Sequence, residues 1–300
     1  MPDRRALRGY VKGMLAWEYV FVGVTLSLLL YPGLALALGL GLLYGRLLAL
    51  ELPGSWPGMP ALRTPHGLAA LASIGLSALG LALLPWPYHP AAGWRAIGSP
   101  LALWAAFELA FLAPLLPGLL APQALAARAA AREMQMSMGG RCVLWLAIGA
   151  SLWGGAGWAP LVLPGRLLIG LAMLLVLPVA LGAGPFAAER SLSVAGAEAG
   201  LDEPTAGLVR FARLVRGAAL LAAASVALLP LGRGTRNPPQ LQPWAGLALA
   251  AALFVVAALL LRQLAAVMPR LTLPAALRWC WSRALPLALV GMAYLALVRG

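Results

Sequence analysis

The sequence predicts an all-α integral membrane protein with about eight transmembrane helices, the first of them long and kinked. Three observations predict it. Charged residues are only 10% of the 300 residues, against roughly 25% in soluble domains. Hydrophobic residues reach 62% and the mean hydropathy is +0.88, leaving too little polar surface to cover a water-soluble globule. Apolar runs of spanning length also recur from one end of the chain to the other, and such a run needs about 20 residues to cross the hydrocarbon core. In lipid every backbone polar group must be paired within the protein, so helices are the state these runs require.

The first run covers residues 15–50, too long for one straight span, and Pro32-Gly33 offers the kink. The second covers 67–84 and the third 101–120, the latter containing Pro114 and Pro117. The fourth is 141–158, the fifth 161–183 and the sixth 207–231. The seventh is 244–267 and the eighth 284–298. Polar connections at 53–66, 85–100, 122–140, 185–206, 232–243 and 268–283 leave no room for a soluble domain, so residues 1–300 read as one transmembrane domain. The basic stretch before the first run (Arg4, Arg5, Arg8, Lys12) is followed by no short apolar segment with a small-residue cleavage site, and a retained first helix is expected.

The net charge of +13 comes from arginines dispersed between apolar runs, which excludes a nucleic-acid-binding surface and reports topology instead. Around the connections after the first, third, fifth and seventh runs lie 13 arginines: Arg46, Arg63, Arg128, Arg132, Arg141, Arg190, Arg210, Arg213, Arg216, Arg262, Arg270, Arg278 and Arg283. The other connections hold three, Arg95, Arg233 and Arg236. The first set is therefore expected on the cytoplasmic side of a cell inner membrane, with both termini outside. Two distant cysteines (Cys142, Cys280) and two histidines (His66, His89) cannot assemble a zinc, haem or iron–sulfur ligand set, so no cofactor is expected in this chain.

Nine carboxylates remain to be weighed. Glu18 and Glu108 interrupt apolar runs, where a charge costs several kcal/mol, roughly 2.5–3.5 on insertion scales, unless paired or hydrated. Glu18 reads as an interfacial residue or a proton-relay group. Glu108, near mid-span, reads as a polar interior group lining a proton route or, alternatively, as the partner of an arginine. Glu189, Glu198, Asp202 and Glu203 crowd the 185–206 connection, which is either a solvated acidic loop or a functional one. Arg132-Glu133 fits a solvated helix face equally well.

Several stretches together resemble the NADH dehydrogenase subunit 1 family of respiratory complex I and its counterparts in formate hydrogenlyase and membrane-bound NiFe hydrogenases. The C-terminal stretch carries most of the likeness: Pro269-Arg270, Leu277-Arg278, Trp281 and Leu285-Pro286-Leu287-Ala288-Leu289. Tyr31-Pro32-Gly33 and Gly45-Arg46-Leu47-Leu48-Ala49 are similar to the family's opening helix and its exit. Ala131-Arg132-Glu133-Met134 resembles a Ser-Arg-Glu-Met/Leu element of the hydrogenase branch. Ser193–Glu198 followed by Leu201-Asp202-Glu203 is similar to the acidic loop after the fifth helix.

The resemblance implies a divergent membrane-anchor and coupling subunit of a redox-driven, ion-translocating complex, with soluble redox subunits on the cytoplasmic face and antiporter-like subunits beside it in the bilayer. Iron–sulfur and NiFe centres would reside in those partners, and a quinone could bind at the subunit interface. Glu198 and Glu203 are proton-path candidates by the same resemblance, Asp202 joins them although the family is variable there, and Glu108 and Glu18 are candidates from their place in apolar runs. Arg46, Arg63, Arg132, Glu133, Glu189, Arg190, Arg270 and Arg278 are candidates for docking the redox arm. This chain departs from the family at Ser191-Leu192-Ser193, Gly196 and Gly200, where acids are expected, at Leu208-Val209, and at Arg141-Cys142 in place of a Glu-Pro pair. Losing several acids threatens conduction more than it threatens the fold, so a structural subunit with an inactivated proton route is one alternative. An unrelated secondary transporter is the other, although no internal repeat supports it.

Overall fold

The computed structural model describes residues 21–50, 59–91, 99–153, 160–186, 201–229, 243–269 and 271–299. Within them the chain is helical, and each of the eight expected runs contains a long helix. α1 is Phe21–Leu47, α2 Pro65–Leu83, α3 Pro100–Leu119 and α5 Leu163–Leu181. α7 is Pro243–Val267 and α8 Leu273–Val298. These six are long and apolar enough to cross a bilayer. α4 (Ala124–Trp153, 30 residues) and α6 (Glu203–Ala227, 25 residues) match them in length but carry more charge.

Local chemistry sets the irregularities. α1 breaks at Leu30–Gly33, where the expected Pro32-Gly33 kink falls, and resumes at Leu34. In α3, Pro114 removes a backbone donor and the helix tightens into a 3-10 turn at Ala113–Leu115 before recovering. Thr64 and Ser99 cap α2 and α3 by accepting from the backbone N–H groups of Gly67 and Ala102, each with proline in the first turn that follows. α8 passes through a π turn at Cys280–Ala284.

Two boundaries differ from expectation. The 122–140 stretch, read as a polar connection, is helical from Ala124, because its alanine-rich sequence favours helix and its charges find partners on neighbouring helices. The 268–283 stretch is helical from Leu273, started by Thr272 and Pro274. α4 thus begins nearly five turns, and α8 about three turns, earlier than hydropathy indicates.

α6 is the central helix. Apart from Arg210 and the half-buried Arg213, it is buried from Thr205 to Ala227, and it packs against α1, α2 and α7, with further contacts to α3, α4 and α5. α5 packs between α4 and α8. Small residues set these separations. A Cβ on Gly41 of α1 would lie 2.6 Å from the Val215 side chain on α6, and one on Gly140 of α4 would lie 2.7 Å from the backbone nitrogen of Ala180 on α5. Hydroxyls tie the helices further: Ser73 donates to the Ala110 carbonyl on α3, and Ser151 of α4 to the Ala227 carbonyl on α6.

Contacts between connections distinguish the two ends of the bundle. At one end Leu271 N–H donates to the Pro185 carbonyl and Gly184 abuts Ala265, which brings together the end of α5, the end of α7 and the start of α8. At the other, Tyr31 donates to the Pro87 carbonyl, Gly246 lies against Pro87, and Tyr294 donates to the Leu161 carbonyl. His89 organises the second end. Its Nδ1 accepts from the Ala91 N–H, which leaves Nε2 to donate to the Ala82 carbonyl at 2.8 Å. The Nδ1 bond requires the neutral ring, whereas the Nε2 bond to Ala82 would survive protonation; burial, opposed by the Ala82 bond, lowers the His89 pKa from 6.5.

Two predictions follow from this packing. Gly140→Leu drives a side chain into α5 backbone and should cost about 1–3 kcal/mol or more, whereas Gly39→Ala, which faces open space, should be near neutral; thermal melts in detergent compare them. His89 contributes stability above the unfolded pKa, and that contribution is lost as pH falls. Between about pH 8 and about pH 5 the wild-type melting temperature should drop, and His89→Gln should remove that part of the drop.

Candidate functional site

Where α3, α4 and α6 meet, five charged and two aromatic side chains form a connected cluster inside the bundle. Glu108 on α3 accepts from Nε of Arg141 on α4 through both oxygens, at 2.8 and 3.0 Å, and from the indole N–H of Trp145 at 3.0 Å. The Arg141 side chain is only 2% exposed. Its guanidinium lies over the ring of Phe111, 3.4 Å from the centroid. Arg216 of α6 lies over the same ring at 4.1 Å and donates to the Phe111 carbonyl at 3.1 Å. Its other terminal nitrogen reaches Glu133 of α4 at 3.2 Å, and Arg213 reaches the second Glu133 oxygen at 3.0 Å.

Helix geometry explains why these residues meet. Glu133, Ser137 and Arg141 fall at four-residue intervals on one face of α4, and Ser137 donates back to the Glu133 carbonyl. Arg213 and Arg216 fall at a three-residue interval on α6, and Glu108 and Phe111 do the same on α3. Three guanidiniums face two carboxylates, so the cluster retains one formal positive charge. Each buried cation has a carboxylate, a carbonyl or a π face to replace its hydration, the condition under which buried charge is tolerated. A guanidinium over a desolvated ring contributes about 2 kcal/mol or more.

Chemically, the cluster is an electrostatic clamp. Both donors around Glu108, Arg141 Nε and the Trp145 indole, are N–H groups, which suit a carboxylate acting only as acceptor. Glu133 receives a guanidinium on each oxygen. Neither acid lies against a described acidic neighbour that could take a proton from it.

The expected site residues distribute unevenly around this cluster. Glu108 has an arginine partner, one of the alternatives set out for it. Glu133, expected on a docking surface or a solvated face, is turned inward with its side chain 11% exposed. The reason is the pull of Arg213 and Arg216 across the α4–α6 interface. Asp202 and Glu203 are exposed at the start of α6, where acids suit the positive end of the helix dipole. Glu203 pairs at the surface with Arg210, at 3.2 Å. Arg46, Arg63 and Arg278 are exposed and Arg132 half-buried. Glu18, Glu189, Arg190, Glu198 and Arg270 lie outside the described residues.

Sequence reasoning missed Arg141, Arg213 and Arg216 as members of a site: it counted all three as topology markers and Arg141 also as a departure from the family. Their signal was available. Arg213 and Arg216, with Arg210 before them, stand on consecutive turns of a run that is mostly apolar, and such placement demands a carboxylate on a facing helix.

The fold defines a class first: a multi-helix membrane bundle, with two charged helices locked together at its centre. The bundle is similar to a chain of the membrane-bound sulfane sulfur reductase, an archaeal respiratory membrane complex, at a TM-score of 0.62 and 18% identity over 92% of this chain and 99% of that one. No family model and no curated protein matches the sequence.

Breaking the clamp on one side should be costly. Arg216→Met leaves Glu133 and Phe111 partly uncompensated and should destabilise by about 3–5 kcal/mol. Combining it with Glu133→Gln should cost less than the two single changes added together. A double-mutant cycle of unfolding free energies in detergent measures the difference, and strict additivity would show that the two groups do not interact.

Proposed function

We propose that the chain is a membrane subunit of a multi-subunit respiratory redox complex. The observation that carries this reading is the end-to-end similarity of fold to a chain of such a complex, covering 92% of this chain. Topology agrees with it. Arg46, Arg63, Arg128, Arg132, Arg262 and Arg278 border connections that alternate onto one end of the bundle, and an arginine-rich end belongs on the cytoplasmic side. That end would seat the soluble redox subunits, with iron–sulfur and metal centres carried by them. The exposed apolar flanks of α7 and α8 would face lipid or antiporter-like neighbours. The test is purification of a tagged chain from its native membrane. Redox-active, iron–sulfur-bearing subunits should accompany it and cross-link to the Arg46, Arg63 and Arg278 end. Recovery of the chain alone, with cross-links only to itself, rules the reading out.

The coupling role has two forms. In the first, Glu108 with Asp202, Glu203 and Glu198 lines part of a proton path. In the second, the chain is a scaffold whose membrane acids serve packing. The Glu108–Arg141 contact favours the scaffold. In the family the sequence resembles, the Arg141-Cys142 position carries a glutamate-proline pair, so here an acid has given way to a base that binds the remaining one. Proton transfer needs groups that exchange protons, and a carboxylate ringed by N–H donors is poorly suited to that. Glu108→Gln in the whole complex, reconstituted into proteoliposomes, separates the two. The scaffold reading expects unchanged proton uptake per turnover together with lower thermal stability, and a fall in uptake by tenfold or so, at intact assembly, restores the proton-path reading.

A further inference from the structure

α8 lies at the edge of the bundle. It is buried along one stripe, from Ala276 to Leu295, which packs on α4 and α5. The opposite stripe, Arg278, Ser282, Pro286, Leu289, Ala293 and Leu297, is exposed at every position. From Pro286 outward that stripe is apolar, as lipid or another membrane helix requires. Its cytoplasmic part is not, because it carries Arg278 and Ser282, with Arg283 exposed beside them.

Depth decides what these groups need. α5 has 19 residues, about 28 Å of helix against about 30 Å of hydrocarbon, so its ends mark the two boundaries. α8 runs antiparallel beside it, with Gly291 against Gly165 and Ile169. Counting back along α8 from that contact puts Arg283 about 10 Å inside the cytoplasmic boundary. Its guanidinium lies over the Trp279 ring, 4.5 Å from the centroid. The ring is itself anchored, since its indole N–H donates to the Leu175 carbonyl at 3.0 Å, about 9 Å inside the end of α5. The cation is therefore held below the headgroups. Neither Arg278 nor Arg283 has a carboxylate partner among the described residues. A charge at that depth is costly unless an opposite charge meets it.

We propose that this stripe of α8 docks a transmembrane helix of a different membrane subunit, one that presents an aspartate or glutamate to Arg283. Inside the chain the same rule operates, with Glu133 answering Arg213 and Arg216 from the facing helix. Ser282 keeps its hydroxyl on the Arg278 carbonyl, and its small side chain lets a partner backbone come close. Leu289 and Leu297 supply the apolar part of the contact. A second copy of this chain does not fit. Among the described acids Glu108 and Glu133 are held inside the bundle, and Asp202 and Glu203 sit at the very start of α6. The surface rests on the chain working beside other membrane subunits, as proposed above.

The experiment places a photo-crosslinker at Ser282, and another at Leu289, in the full chain, irradiated in its native membrane before purification. Both should capture one membrane polypeptide other than this chain, and the Ser282 adduct should map within about a turn of an Asp or Glu in a transmembrane span. Arg283→Met should lower recovery of that neighbour by about tenfold or more, as loss of one partner of a desolvated charge pair does. Changing the neighbour's acid to its amide in the Arg283→Met background should cause no further loss. Arg262→Met, at an exposed arginine of α7, should leave recovery unchanged. The isolated Arg283→Met chain should melt as the parent does, which separates lost docking from lost folding. Capture of phospholipid alone, of this chain alone, or of a span without an acid at that level overturns the proposal. If redox subunits accompany the chain while Ser282 captures only lipid, the complex stands and this surface falls. If they are absent while Ser282 captures an acid-bearing span, the surface stands and the redox assignment falls.

Discussion

Everything in this bundle is arranged around the arginines of α6. That helix is the most enclosed of the eight, yet it carries Arg213 and Arg216 on consecutive turns. A buried guanidinium is tolerated only where oxygen or π density replaces its water. Glu133 therefore has to face α6, and because Glu133 sits on α4 the whole face of that helix is fixed, including Arg141 two turns further on. Arg141 in turn needs Glu108, which sets the rotation of α3. Three helices are thus oriented by one chain of charge complementarity, and the apolar contacts of α1, α2, α5 and α7 close around it.

This arrangement also accounts for which helices look like membrane spans. The six that do are apolar because lipid or neighbouring apolar side chains surround them. α4 and α6 carry more charge, and part of it is mutual: Glu133 of α4 holds Arg213 and Arg216 of α6, while Arg141 of α4 is answered from α3 by Glu108. A partition of the two into lipid separately would expose unpaired ions, so their stable insertion is a joint property. Arginine rather than lysine is required at Arg216. One side chain there engages the Glu133 carboxylate, the Phe111 carbonyl and the Phe111 ring at the same time, and a single ammonium cannot present donors in that planar spread while lying over a ring.

The apolar runs were legible because hydropathy over a span-length window sums many residues that agree. The kink at Pro32-Gly33 was legible for a local reason, the missing donor and fixed φ of proline. The early starts of α4 and α8 were not, since hydropathy scores Arg128, Arg132 and Glu133 as solvent-seeking whatever faces them. The same blindness hid the clamp. Glu108 could be singled out as an acid in need of something, but naming Arg141 as its partner requires knowing that α3 and α4 touch at that depth. Glu133 was read outward because its neighbours Arg132 and Gln135 are polar. A helix with two polar faces looks, in one dimension, like a helix in water.

Those two faces explain why α4 is the long helix of the bundle. Its inner face has to reach deep enough for Arg141 to meet Glu108, while its outer face begins at headgroup level with Arg128. The eight residues from Glu133 to Arg141 carry charge about 12 Å along the helix axis. Over that distance each inward charge is answered from α3 or α6, and Ser137 returns its hydrogen bond to the helix itself. Polarity on α4 is thus a line of paired groups descending from the interface into the core. A chain that kept this depth of acid solely to move protons would gain nothing from a guanidinium on every oxygen. One that used it to hold three helices in register would need the pairing seen at Glu108 and Glu133.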